Sequence, residues 1–119
     1  HSLVGWFLAQ QGPVKGFSRA IFSGLTTVEL ARVMRDFVVP NPELRGLYHV
    51  SAEPINKFEL LKLVAQVYGK AIDIEPDDKL VIDRSLDSSR FRDITGYQPP
   101  AWPELVRRMH EFDLTNELI

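Results

Sequence analysis

The chain has 119 residues, 45% of them hydrophobic and 25% charged, with a formal net charge of −2, which suits one soluble domain with a modest core. So near-neutral a balance gives no electrostatic case for nucleic acid or an anionic membrane as partner. Cysteine is absent, which excludes disulfides, thiolate catalysis and cysteine metal sites, and no apolar run approaches the ~20 residues of a membrane helix.

Leu3, Val4, Phe7 and Leu8 recur with helical spacing, and Gln10-Gln11-Gly12-Pro13 stops that helix. The chain begins inside this pattern at His1, with neither a basic region nor an initiating methionine, so a piece of a longer protein is expected. Val14 to Phe22, interrupted by Gly16, reads as one strand or a bent hairpin. Thr26 or Thr27 caps a helix whose apolar positions are Val28, Leu30, Ala31, Val33, Met34, Phe37 and Val38. Glu29 falls in its first turn, where the helix dipole favours an anion, and Pro40-Asn41-Pro42 ends it. Leu47 to Val50 reads as a buried strand and Ser51 to Pro54 as a loop. Asn56 is the expected N-cap of the next helix, with Glu59 as its capping-box partner, and the helix runs to Gly69.

Ile72-Asp73-Ile74 alternates like a short strand. Asp87 or Ser88 opens a short helix closed by Gly96, and Trp102-Pro103 opens the last one, with Trp102, Leu105, Val106, Met109 and Phe112 on its apolar face. Alternating elements give an α/β class, here a small helix-rich domain with a few short strands, taken as a single domain over residues 1–119. Such a set covers one side of a sheet better than it builds a doubly wound domain.

None of the seven glycines builds the glycine-rich strand-to-helix turn that brings backbone amides up to a dinucleotide pyrophosphate. Gly-x-Ser-x-Gly and His-Glu-x-x-His are absent as well. The acidic residues Asp73, Glu75, Asp77, Asp78 and Asp83 lack the central glycine of a calcium loop and are interrupted by Pro76, so a solvated acidic stretch is expected and no metal site is assigned. His49 and His110 are isolated histidines, read as packed or surface residues.

Three stretches carry a resemblance. The first is Gly46-Leu47-Tyr48-His49-Val50-Ser51-Ala52-Glu53-Pro54-Ile55-Asn56-Lys57-Phe58-Glu59-Leu60-Leu61; then come Asp83-Arg84-Ser85-Leu86-Asp87-Ser88-Ser89-Arg90-Phe91 and Gly96-Tyr97-Gln98-Pro99-Pro100-Ala101-Trp102-Pro103-Glu104-Leu105. Their order resembles the C-terminal, sugar-binding part of extended short-chain dehydrogenases/reductases that act on nucleotide sugars, in particular the dTDP-4-dehydrorhamnose reductase-like proteins.

The resemblance implies a substrate-binding domain detached from its N-terminal Rossmann domain. NAD(P) and the catalytic tyrosine would belong to that missing part, and this piece would bind no cofactor and turn nothing over by itself. The family's Tyr-x-x-x-Lys pair is not here: Tyr48, Tyr68 and Tyr97 have Ala52, Ile72 and Ala101 at that spacing, so no catalytic residue is assigned. The implied partner is a nucleotide-diphospho-sugar. The implied activity of the whole protein is reduction of the 4-keto group of a dTDP- or UDP-linked deoxysugar, in cytoplasmic synthesis of a surface polysaccharide. Nucleotide-sugar epimerisation is the alternative within the family. In a different class stands a non-catalytic regulatory or protein-binding relative, with the loops at Pro40-Asn41-Pro42 and Pro99-Pro100 as contact surfaces.

Carried over residue by residue, Arg84 sits where these families often place an arginine just before the helix at Leu86-Asp87-Ser88-Ser89-Arg90. It has two readings: a bidentate grip on the diphosphate, or an ion pair with Asp83 or Asp87. Ser85 follows it where the dehydrorhamnose reductases commonly have proline. Arg19 and Lys15 flank the early strand, where relatives set basic groups against the nucleotide, and Phe22 either stacks on a base or sugar face or packs in the core. Asp87 and Ser88 are read as helix caps, and Trp102 and Tyr97 as packing residues. Uncovered helix faces at Trp6-Phe7 and Val28 to Val38 would make the isolated piece prone to self-association.

Overall fold

The computed structural model of the chain describes residues 3–44 and 48–117. In chain order the elements are α1 (Leu3–Leu8), β1 (Val14–Phe17), β2 (Ala20–Gly24), α2 (Thr27–Val33) continued by a wider π-helical turn (Met34–Val38), β3 (Ser51–Asn56), α3 (Lys57–Tyr68), β4 (Ile74–Asp77), β5 (Ile82–Arg84), α4 (Ser89–Thr95) and α5 (Trp102–Glu117). This is a small, helix-rich α/β fold with a few short strands. β1 pairs with β4, and a second sheet has the order β3-β2-β5. The chain divides into two compact units: unit 1 is His1–Phe22 with Pro54–Arg84, and unit 2 is Ser23–Glu53 with Ser85–Ile119.

In unit 1, both defined strand pairs are parallel. β1 runs beside β4 from Val14↔Ile74 to Phe17↔Asp77, and β2 beside β5 from Ala20↔Ile82 to Phe22↔Arg84. The expected hairpin between Val14 and Phe22 is not formed, because β1 and β2 do not pair with each other. They are two halves of one stretch, broken at Ser18-Arg19 and followed alongside by β4 and β5. Gly16 is the point of closest approach to α3: a Cβ there would lie 2.8 Å from the Phe58 Cα. Leu60, Leu61 and Val64 of α3 are buried, as is Phe7 of α1. Lys70 Nζ donates to the Leu8 carbonyl at 3.0 Å, tying the end of α1 to the segment after α3.

Asn56 caps α3 as expected, its Oδ1 accepting the Glu59 N–H at 2.9 Å, and Gly69 ends it at φ 69°, a left-handed value that suits glycine. The strand expected at Ile72-Asp73-Ile74 begins instead at Ile74 and runs through Pro76. A proline is tolerated there because β4 has one partner strand and needs no N–H on its open side.

Unit 2 is helical. Thr26 caps α2, its Oγ1 accepting the Glu29 N–H at 3.2 Å. The buried face of α2 differs from the apolar pattern: Leu30, Ala31 and Met34 are exposed, and Glu29 and Val33 are buried. Below Val33 the helix widens, with Val39 N–H bonding five residues back to the Met34 carbonyl at 2.9 Å. That turn keeps Phe37 and Val38 on the side of Val33, in a core with Phe91 and Tyr97. Tyr97 meets Phe37 and Phe91 edge-on, with ring centroids 5.1 and 6.0 Å apart.

Leu47 lies outside the described residues, and Tyr48 to Val50 are irregular; the strand is Ser51–Asn56, where a loop was expected. β3 contains Pro54 and ends the order of its sheet, where proline costs no ladder bond. On α5, Trp102, Leu105 and Val106 are buried and Phe112 is 51% exposed, so the apolar face is covered only in its first turns. No described helix is long and apolar enough to cross a membrane.

Candidate functional site

The four residues singled out by sequence all fall in unit 1. Phe22 and Arg84 are direct partners across β2 and β5. In a parallel pair, register partners project from the same face, so the strands set an aromatic ring and a guanidinium side by side. Phe22 is half-buried and Arg84 exposed. Among the described residues no ion pair involves Arg84, and the expected structural pairing with Asp83 or Asp87 is not formed. Asp87 is engaged locally instead: its Oδ1 accepts the Ser89 N–H at 2.9 Å, and that backbone bond is the first cause holding its carboxyl below the usual value.

Arg19 stands exposed in the two-residue break between β1 and β2. Its carbonyl accepts the Ile82 N–H at 3.2 Å, so its backbone is part of the sheet while its side chain is in no ion pair among the described residues. Lys15 is also exposed, with Nζ 3.8 Å from Asp77 Oδ2. Register sets it opposite Glu75 as well, so two carboxylates compete with any anionic ligand for this ammonium. Phe22 and Arg84 are thus brought together, Arg19 is held at the strand break by its backbone, and Lys15 is already paired.

Unit 2 holds a charged cluster that sequence reasoning missed. The Glu29 carboxylate is 2% exposed. It receives Arg32 Nε at 2.9 Å and lies 2.7 Å from the second Arg32 nitrogen, 3.5 Å from Arg108 and 3.4 Å from the buried Tyr97 hydroxyl. A buried carboxylate of this kind persists when its charge is paired and hydrogen-bonded. Its hydrogen bond raises Arg32 above the ordinary arginine value, and burial followed by the Glu29 charge raises the Tyr97 phenol. Glu104 links to both Arg107 and Arg108, and its carboxyl is lowered to about 2, first by the bond from Arg107. The available signal was spacing: Glu29–Arg32, Glu104–Arg107 and Glu104–Arg108 sit three or four residues apart on a helix.

The remaining residues have structural roles. Trp102 Nε1 donates to the Glu53 carbonyl at 2.6 Å, and Ser88 occupies the N-cap of α4 without a side-chain bond. His49 is exposed and His110 half-buried. The strand-to-helix junctions are β2 to α2, which holds Gly24, and β3 to α3 and β5 to α4, which hold no glycine. Among the described residues no junction supplies the glycine-rich turn that holds a dinucleotide pyrophosphate.

No protein-family model matches the chain, and no curated protein does. Solved structures do. A dTDP-4-dehydrorhamnose reductase from Bacillus anthracis str. Ames, in complex with NADP, matches with a TM-score of 0.74 at 18% identity over 91% of this chain. The dTDP-4-dehydrorhamnose reductase of Yersinia enterocolitica matches at 0.62 and 17%, and RMD from Pseudomonas aeruginosa, complexed with NADPH, at 0.60 and 16%, again over 91% of this chain. The likeness is one of fold. This chain spans 42%, 42% and 37% of those three chains in turn.

Proposed function

We propose that this chain is the substrate-binding part of a longer NAD(P)-dependent nucleotide-sugar reductase, in which a Rossmann domain outside these 119 residues holds the cofactor. The observation that carries the reading is the extent of the fold likeness: 91% of this chain follows 42% of a dTDP-4-dehydrorhamnose reductase at a TM-score of 0.74. Its substrate is a nucleotide-diphospho-sugar, with a 4-keto deoxysugar on dTDP or UDP as the preferred class. The setting is polysaccharide synthesis in the cytoplasm.

Within that reading Arg84 grips the diphosphate. Among the described residues no ion pair engages this exposed guanidinium, which suits it to two parallel hydrogen bonds to phosphate oxygens. Phe22, its register partner, offers an aromatic face to the base or sugar. Arg19 adds positive charge from the strand break, and Lys15 contributes least because Asp77 already holds it.

The test is calorimetric titration of the full-length protein, wild type and Arg84→Ala, with dTDP and with UDP in the presence of cofactor. Binding of one nucleotide that weakens by about 2 kcal/mol in the variant, the size of a lost charge-assisted bond, supports the assignment. Absence of binding to either nucleotide, by protein that remains folded, moves the reading to a non-catalytic relative.

A further inference from the structure

Two buried serines grip the backbone of one residue, Leu86, from both sides of its Cα. Ser23 is 0% exposed and Ser51 1% exposed, so each hydroxyl lies out of reach of solvent. Ser23 Oγ accepts the Leu86 N–H at 2.7 Å, and Ser51 Oγ donates to the Leu86 carbonyl at 3.2 Å. Both polar groups of Leu86 are thus satisfied by side chains, while the leucine side chain itself is exposed. Two buried hydroxyls closing on one exposed residue fix the course of the backbone there, since neither can turn to water for a substitute partner.

The position of that residue matters because of what precedes it. β5 is three residues long and ends at Arg84, two residues before Leu86. A strand this short has few ladder bonds with which to hold its register. Slippage by one residue would carry Arg84 to the opposite face, away from Phe22. Ser23 directly follows Phe22, the register partner of Arg84, so its bond to Leu86 N–H continues the strand alignment beyond the point where the main-chain pairing stops.

We infer that Ser23 and Ser51 are positioning residues for Arg84: by clamping the Leu86 backbone they keep the strand end in register and Arg84 on the face of Phe22. The inference rests on the proposed role of Arg84 at the diphosphate. Neither serine touches the ligand, so their effect on binding runs through Arg84 alone.

The experiment is a double-mutant cycle on the full-length protein, with cofactor present and at a temperature well below unfolding. Ser23→Ala removes the acceptor without adding volume to a buried site; Ser51→Ala removes the donor and serves if the first variant fails to fold. The readouts are dTDP and UDP affinity by calorimetry and amide hydrogen exchange at Leu86. Each serine variant is expected to weaken binding about 5-fold to 10-fold beside wild-type Arg84, to speed exchange at Leu86, and to have no further effect on affinity in an Arg84→Ala background. Faster exchange or a lower Tm with unchanged affinity would overturn the inference and leave the serines merely structural. Equal losses with and without Arg84 would overturn it too, by detaching the clamp from the arginine. An Arg84→Ala protein that binds as wild type strikes the underlying reading instead, and the clamp inference falls with it.

Discussion

In unit 2 the carboxylate of Glu29 is surrounded by Arg32, Arg108 and the Tyr97 hydroxyl, and Arg108 is bound in turn by Glu104. In unit 1 Arg84 and Arg19 stand exposed and enter no ion pair among the described residues. The same side chain is therefore used in two ways. Where an arginine meets a carboxylate that water cannot reach, it ties elements together, as Arg108 of α5 does with Glu29 of α2. Where it meets none among the described residues, it contributes little to folding and its charge stays in water. Pairing, rather than number, sorts the arginines of the described residues.

The largest expected effect tests the buried side of it. Glu29→Ala removes the acceptor shared by α2, α5 and Tyr97. The two arginines are more than a third exposed and can recover water, which reduces the penalty of a broken buried pair. The Tyr97 hydroxyl cannot. Urea unfolding should show a loss of about 2–3 kcal/mol. A loss under about 0.5 kcal/mol would mean that the cluster does not hold unit 2 together, and the comparison would lose its first half.

Gly16→Ala probes unit 1, where packing rather than charge is expected to dominate. The added Cβ would lie 2.8 Å from both the Phe58 Cα and its ring, and 3.0 Å from an Ile74 methyl. The ring can move, but the Cα belongs to the backbone of α3 and cannot yield without shifting the helix. Thermal unfolding should register about 1–3 kcal/mol of destabilisation, the range for overpacking. A neutral substitution would show that α3 rides loosely on β1 and β4.

Tyr97→Phe has a smaller effect, and it shrinks as pH rises. Near neutrality the variant loses one long hydrogen bond at 3.4 Å, about 1 kcal/mol or less. The folded-state phenol is raised above its ordinary value, first by burial and then by the Glu29 charge. Its stabilising share is complete below the unfolded value near 10 and falls as pH climbs beyond it, because the unfolded chain then releases a proton that the folded chain retains. Stability curves measured from about pH 7 to pH 11 should converge as wild type declines faster than the variant. Parallel curves would place the hydroxyl in water.

The caps were legible because each is a local rule. Thr26, Asn56, Gly69 and Gly96 act through residues within a turn of themselves. Strand limits differ at β3 and β4, which contain Pro54 and Pro76, Val14–Phe22 is neither one strand nor a hairpin, and β5 was not expected at all. A proline argues against a strand until one knows that the strand lies at a sheet edge, and edge position is a property of topology. Glu29 was assigned to the helix dipole, since nothing local shows that Arg108, 79 residues away, would complete its shell. Ser23 and Ser51 gave no signal: a buried serine and an exposed one look alike in sequence. For the candidate site, sequence supplied Arg84 and Phe22 as separate residues, and the parallel register made them neighbours.

Arg84 and Arg19 test the exposed side. Arg84→Ala and Arg19→Ala should each change stability by no more than about 0.5 kcal/mol, as for exposed side chains with no specific partner. Arg108→Ala, by contrast, removes an arginine bound to both Glu29 and Glu104 and should cost more than either. The informative quantity is the ratio of binding loss to stability loss for each variant, taken from calorimetry and urea unfolding on the same preparations. Arg84→Ala should sit at the extreme of binding loss without stability loss, and Arg108→Ala at the opposite extreme. If Arg84→Ala unfolds the protein as readily as Arg108→Ala, its guanidinium has a structural partner, and an arginine so occupied is a poor choice for gripping a diphosphate.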